Sequence, residues 1–185
     1  REFSSIRNRE VPVVYNGVDR EYWRIGRNPV QGELLFCGDM GYFPNEEPVS
    51  RIVQDILPLL REMGWTGRLV ICGRDPSARV RSLEGPDVQV TGTVDDVRPF
   101  YSRASLLLAP MRIGSGTPLK VVTAMAAGLP VLATKRIAES LDLHGRKVIA
   151  EADTAGRTAE MVIELLKQPQ ILEDMSRRGM EEVEK

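Results

Sequence analysis

The stretch Pro110 to Thr134, PMRIGSGTPLKVVTAMAAGLPVLAT, holds the residues of this chain best suited to chemistry. A strand-like run ends there in a loop containing Gly114, Ser115, Gly116 and Thr117, and a helical pattern opens at about Pro118. A glycine-rich loop ahead of a helix lets backbone N–H groups converge on an anion, and the positive end of the helix dipole favours the same charge. Thr117 is placed as the N-cap and Pro118 as the first helical residue. Lys120 then falls in the first turn, a position that disfavours cations on structural grounds alone. Its ammonium would add a point charge to a bound phosphate, so the spacing predicts a diphosphate site. The loop is neither a GxxxxGK[ST] phosphate loop nor the GxGxxG dinucleotide fingerprint.

Other glycines fall where strands should end: Gly38 and Gly41 in GDMG, Gly73 after the next run, and Gly92 just past a third. In an open parallel sheet those ends border the ligand crevice, although each glycine alone can equally be a strand-to-helix turn. Cys37 and Cys72 each close an apolar run directly before a glycine, LLFCG and LVICG, which puts them at the same level of two strands. Two buried thiols in a reducing compartment are expected rather than a redox pair. With His144 as the single histidine, a zinc site is not expected.

The elements that must position these residues follow from hydrophobic periodicity. Six short runs begin at Leu34, Leu69, Val88, Leu106, Val131 and Lys147, the last being KVI. They alternate with helical patterns, the signature of βαβ units and a mostly parallel sheet. Val49, Ile52, Val53, Ile56, Leu57 and Leu60 keep helical spacing, with Pro58 expected to kink or restart the helix. Leu119 to Ala127 is apolar nearly all round and reads as a deeply buried helix. Past Asp153 two helices are expected, separated near Pro169. The predicted fold is α/β, a doubly wound, mostly parallel Rossmann-like sheet flanked by helices.

Length and charge agree with a single such domain. The chain has 185 residues, with 25 Lys plus Arg against 26 Asp plus Glu, a formal net charge of −1. That balance gives no global attraction to nucleic acid or anionic lipid. Hydrophobic residues at 42% and charged residues at 28% are those of a globular protein, and no apolar run is long enough to span a bilayer. The chain opens on Arg1 rather than Met, so a piece of a longer protein is expected. Its first segment, with VPVVYNGVDREYW at its core, reads as a short strand and an Asn16-Gly17 turn. That segment is either an edge strand with a lead-in or the remnant of a linker from an upstream domain.

Taken together, VVYNGVD, LLFCGDMGYFPN, RLVICGR, VQVTGTVDDVRPFYSRASLLLAP and GSGTPLKVVTAMAAGLPVLAT resemble, in order and spacing, the group 1, family four, retaining glycosyltransferases. The resemblance runs from about Val11 to Lys185 and corresponds to the C-terminal half of a fold with two facing Rossmann-like domains (GT-B). It implies that residues 1–32 are an interdomain linker remnant with a lead-in strand, and that 33–185 form the donor-nucleotide-binding domain with its C-terminal helices. The acceptor domain would lie upstream. It also implies a cytoplasmic enzyme of polysaccharide biosynthesis, hexosyl-type, using a nucleotide-sugar as substrate with no obligatory cofactor or metal. Peripheral membrane contact would belong to the full-length protein.

Residue roles follow from the same resemblance. Gly38 to Gly41 would lie near the donor diphosphate, Gly73 and Arg74 would border the nucleotide, and Thr93 and Val94 would lie against the base. Ser115, Gly116, Thr117 and Leu119 would offer N–H groups to the distal phosphate, and Lys120, Arg112 or Arg74 would neutralise it. Family members often carry a basic pair after the first strand, where this chain has Asp39 and Pro44-Asn45. The family's two glutamates, seven residues between them, fall on Ser115 and Thr123. The second usually holds the ribose hydroxyls, and a threonine there loses a charged acceptor, a change of about 1–3 kcal/mol. No catalytic base or nucleophile is assigned: Glu46, Glu47, Asp95 and Asp96 read as solvated or capping residues. The alternative is a non-catalytic, degenerate nucleotide-binding or interaction module. A phosphorylatable receiver domain is excluded because Asp39 lacks the acidic cluster it needs.

Overall fold

The runs LLFC, LVIC and LLLA are apolar on both faces, and a strand of that kind must be covered on both sides. A computed structural model, describing residues 17–112 and 118–185, shows these three runs as strands within a six-stranded sheet. The six are β1 Leu34–Cys37, β2 Leu69–Cys72, β3 Val88–Val90, β4 Leu106–Ala109, β5 Val131–Ala133 and β6 Ala150–Glu151. All pair in parallel, in the spatial order β3-β2-β1-β4-β5-β6. The chain builds outward from β1 to β3, then returns to the middle and builds outward again from β4. The order therefore reverses between β1 and β4, the switch point at which a doubly wound sheet opens a crevice at its carboxyl ends. The expected Rossmann-like α/β class is observed.

Nine α-helices are described: α1 Arg20–Trp23, α2 Glu46–Arg51, α3 Leu57–Glu62, α4 Ala78–Arg81, α5 Arg98–Arg103, α6 Leu119–Ala126, α7 Lys135–Ser140, α8 Ala155–Leu166 and α9 Pro169–Val183. Alternate strand residues feed two separate cores. Leu34, Phe36, Leu69, Ile71 and Leu108 pack with α2, α3 and α8, while Leu35, Cys37, Val70, Leu107 and Ala109 pack with α5, α6 and α7. A fully buried Leu or Ile contributes about 1.5–3 kcal/mol, so this two-sided burial is the main stabilising term.

Pro58 acts as expected. Lacking an N–H, it cannot serve the carbonyl of Gln54, and the helix answers with one wide turn over Ile52–Ile56. The Leu57 N–H reaches back five residues to Ile52, after which α3 restarts with Pro58 in its first turn. The split near Pro169 is also observed, between α8 and α9.

Three expectations are corrected. The sixth strand is Ala150–Glu151, not KVI, because Lys147 takes a positive φ of 57° and turns the chain before pairing with β5 begins. The DREYW segment is helical: Asp19 accepts from the Tyr22 N–H and caps α1. Pro118 is the residue before α6 rather than its first helical residue, and Thr117 lies outside the described residues, as do Gly114, Ser115, Gly116 and the strand proposed before Gly17.

The lead-in is tied to the domain. Asn28 and Val30 donate to the carbonyls of Ser102 and Arg103, and Arg27 donates to the carbonyls of Tyr101 and Ala104. The Trp23 ring lies 4.9 Å from that of Tyr101.

Two internal ties fix the carboxyl ends of the strands. At Gly73, φ is +154°, and a Cβ there would stand 1.6 Å from the Gly38 carbonyl oxygen, so β1 and β2 exit in contact only without a side chain. Arg51, buried at the end of α2, donates to the Pro110 carbonyl at 3.0 Å and the Asp153 carbonyl at 2.5 Å, joining the exits of β4 and β6. Gly73→Ala is expected to destabilise the domain by about 3 kcal/mol or more in urea unfolding. Arg51→Met, which leaves the buried Pro110 carbonyl unpaired and frees that of Asp153, should lower stability by about 1–3 kcal/mol. Unchanged midpoints would contradict these assignments.

Candidate functional site

A cleft of about 850 Å³ opens at the switch point. One wall is the exit of β1 and the turn that follows, with Cys37, Gly38, Asp39 and Asn45. The opposite wall is the first turns of α6, with Leu119, Lys120 and Thr123, continued by Arg136, Ile137, Glu139 and Ser140 of α7. Trp23, Val97, Tyr101 and Met111 supply apolar surface. Open clefts of this size with a few convergent polar groups are the usual form of a small-molecule site.

Lys120 is the cation of this cleft whose geometry is fully defined. Its Nζ donates to Asn45 Oδ1 at 2.6 Å and stands 4.1 Å from the centre of the Phe36 ring. Burial pushes its pKa from the ordinary 10.5 down to about 8, partly countered by Cys37. The close approach depends on Gly38: a Cβ there would lie 3.3 Å from Nζ and 3.1 Å from Asn45 Nδ2. Asn45 is held in turn, since its Nδ2 donates to the Asp39 carbonyl at 2.7 Å.

The backbone at the start of α6 adds donors. The N–H groups of Val121 and Val122 both point to the Pro118 carbonyl, leaving those of Leu119 and Lys120 without an intrahelical acceptor. Ammonium and helix N-terminus thus meet at one wall of the cleft, an arrangement suited to an anion.

The floor contains Cys37, with Cys72 buried beside it. Cys37 and Cys72 are register partners on β1 and β2, and both are free. The Cys37 thiol is held below its ordinary pKa by hydrogen bonds with Cys72 and Tyr101 and by the charge on Lys120, against burial, while Cys72 and Tyr101 are pushed up. The expectation of two buried thiols at one level holds.

The predicted residues divide. Gly38, Leu119, Lys120 and Thr123 come together in the cleft. Gly41, Gly73, Arg74, Thr93, Val94 and Arg112 do not line it. Gly73 is the close contact between strand exits. Arg74 is bound to Asp39 Oδ2 through Nε at 2.9 Å and Nη2 at 2.7 Å, which holds the Asp39 carboxyl below the usual carboxylate range. Gly41 donates to Asp39 Oδ1 at 3.0 Å and completes that turn. Thr93 Oγ1 faces the Asp75 N–H at 3.4 Å, and Val94 packs on the second core. Arg112 is exposed. Ser115, Gly116 and Thr117 lie outside the described residues.

The helix read as buried all round is open on one side. Val121, Ala124 and Met125 are buried, but Leu119 is 47% exposed at the cleft. Sequence reasoning also passed over Trp23, Tyr42, Tyr101, Arg136 and Glu139, all of which line the cleft. The only signal available for Arg136 and Glu139 was their place just after a predicted strand end. Among the acidic residues set aside, Asp96 is a local cap, accepting from the Arg98 N–H at 2.9 Å.

Comparison with known proteins places this geometry. Three solved structures share the fold at low identity. S. aureus TarM has a TM-score of 0.72 at 10% identity, over 91% of this chain and 34% of that one. HepE of Anabaena, solved with UDP and glucose, has a TM-score of 0.72 at 14% identity, over 93% and 51%. The C-terminal domain of the group 1 glycosyl transferase LpcC from Francisella tularensis has a TM-score of 0.62 at 14% identity, over 92% and 93%. The chain thus spans about a third of TarM and half of HepE. No curated protein sequence matches it. The family model for glycosyl transferases group 1 matches residues 31–168, which hold all six described strands and every cleft-lining residue but Trp23, and the chain belongs to that family.

Proposed function

We propose that the cleft binds the diphosphate of a nucleotide-sugar, and that this chain is the donor-binding half of a glycosyltransferase. The observation that carries the reading is Lys120, a part-buried ammonium at the start of α6 that lines the switch-point cleft. A cation disfavoured by helix dipole and by burial needs an anionic partner to offset both. The structures of HepE with UDP and glucose, and of TarM with UDP, support a nucleotide as that partner.

In this reading the sugar passes to an acceptor held by a second domain, with retention of configuration. As the bond from the sugar to the diphosphate breaks, negative charge gathers on the leaving oxygen. The ammonium of Lys120 and the positive end of α6 would stabilise that charge, an interaction stronger in the transition state than in the ground state. Asn45 orients Lys120 and yields it to the phosphate. The apolar surface of Trp23, Tyr101 and Leu119 suits the flat or ring-shaped parts of such a ligand.

Residues 33–185 form the donor domain in this proposal, with 1–32 as lead-in from a linker. No helix among the described residues is long and apolar enough to cross a membrane. The two free cysteines support a reducing, cytoplasmic setting. A hexosyl donor and a role in polysaccharide assembly belong to the same proposal. The second reading, a binding module that no longer catalyses, is favoured by one observation: Thr123 brings a neutral hydroxyl to the cleft where the family resemblance implies a carboxylate.

The reading is tested by calorimetric titration with UDP, GDP and ADP and their sugar conjugates. One base is expected to bind, with Lys120→Ala weakening the diphosphate about tenfold or more and the free nucleoside little. Equal losses for both would contradict a phosphate role, and no binding by the unaltered chain would contradict the reading as a whole. The pH dependence has a definite sign. In the free protein Lys120 loses its proton at about 8, whereas bound phosphate holds it charged. Binding therefore takes up a proton, and affinity should be level below about pH 8 and fall toward tenfold per unit above it. Lys120→Ala should abolish that slope, and a wild-type profile flat to about pH 10 would contradict the assignment.

A further inference from the structure

Once Lys120 is assigned to phosphate, the next turn of α6 decides what sits beside the phosphate. Thr123 follows Lys120 by three residues and so lies above it on one helix face, about 4.5 Å farther along the axis. Its single hydroxyl can meet one partner, whereas a sugar or ribose presents two adjacent hydroxyls that are best matched by a carboxylate.

Two carboxylates line the cleft among the described residues, Asp39 and Glu139. Asp39 is fully engaged, with Oδ2 accepting twice from Arg74 and Oδ1 accepting from Gly41. Glu139 is not. Its ion pair with Lys135, one turn back on α7, spans 3.7 Å, too long for a hydrogen bond, and its side chain keeps 54% of its surface exposed. Its position is also defined. Glu139 and Ser140 line the main cleft with Thr123, and they line the adjoining groove with Val122, so Glu139 stands where the two open spaces beside α6 meet. The rotation and tilt of α7 come from the buried Ile137 and Ala138 and from the Lys135 N–H, which donates to Asp153 Oδ1 at 2.9 Å.

We infer that Glu139 is the acceptor for a vicinal diol of the ligand whose phosphate Lys120 holds, the carboxylate being supplied from α7, which continues the same wall, rather than from α6. The inference rests on the proposed nucleotide-sugar reading. It assigns specificity to Glu139, not chemistry: a carboxylate accepts from both hydroxyls of a vicinal diol, cis in ribose or trans-diequatorial in glucose, and a deoxygenated analogue has nothing to donate to it. The diol belongs either to the ribose or to the transferred sugar, and the two sources separate experimentally.

The test uses amide chemical-shift titrations carried to millimolar ligand, on the unaltered chain and on Glu139→Gln. The probes are the ribonucleoside diphosphate of the tested bases that binds, its 2′,3′-dideoxy counterpart, and its glucose conjugate. The glutamine is isosteric and solvent-facing, so the fold is preserved, and the unperturbed spectrum reports it directly. With a ribose diol, Glu139→Gln weakens the ribonucleotide about tenfold, while the dideoxy compound binds both proteins equally and as weakly as the ribonucleotide binds the variant. With a sugar diol, the nucleoside diphosphate is unaffected and only its glucose conjugate loses about tenfold. Either pattern supports the inference. Equal binding of every probe to both proteins overturns it while leaving Lys120 and the nucleotide reading intact. Failure of any nucleotide to bind the unaltered chain overturns that reading, and this inference with it.

Discussion

An ammonium set against the positive end of a helix and withdrawn from water is costly, and the switch-point cleft is arranged around that cost at Lys120. In the free protein the charge is met by Asn45 Oδ1 at 2.6 Å and by the face of Phe36 at 4.1 Å. Both partners are neutral, so neither offsets the burial fully, and the depressed pKa is the residue of that imbalance. Much of the local structure serves this contact. Gly38 omits the side chain that would crowd Nζ, Phe36 is a core residue of β1, and Asn45 is fixed through the Asp39 carbonyl. A ligand phosphate would complete the arrangement.

The sheet makes the contact possible. Because strand order reverses between β1 and β4, the helices that follow them cover opposite faces, and a space is left where they part. Arg51 pins the exits of β4 and β6 from below, and Thr134 Oγ1 donates to the Met111 carbonyl at 2.8 Å, pinning the exits of β5 and β4. These bonds are made by buried groups, so the walls of the cleft are held before any ligand arrives, which reduces the ordering cost of binding. The Asp39–Arg74 pair on the lip has the opposite character, with Arg74 side-chain exposure at 68%, and contributes little to stability.

The fold was legible in the sequence because its signals are local and repeated. Strands buried on both faces must be continuously apolar, so LLFC, LVIC and LLLA stood out, whereas KVI misled because it is buried without being paired. The candidate anion site was legible for a different reason: Lys120 violates a helix rule, and such violations point to function. What could not be read was the partner of each charge. Arg74 looked available for a ligand until the fold set β2 beside β1 and gave it Asp39. Glu139 drew no reading at all, because nothing in a linear sequence says that α7 brings it to the same cleft as Thr123. Those are facts of tertiary placement, and residue type and spacing do not carry them.

The central claim is that the switch-point cleft holds a phosphate-bearing ligand on Lys120. It is tested most directly by mapping amide chemical shifts while a nucleoside diphosphate is added. The account predicts that the largest changes fall on Gly38, Asn45, Leu119 and Lys120, at the exits of β1 and β4, and that inorganic diphosphate reproduces them. Changes centred elsewhere on the domain, with those four amides still, would contradict it.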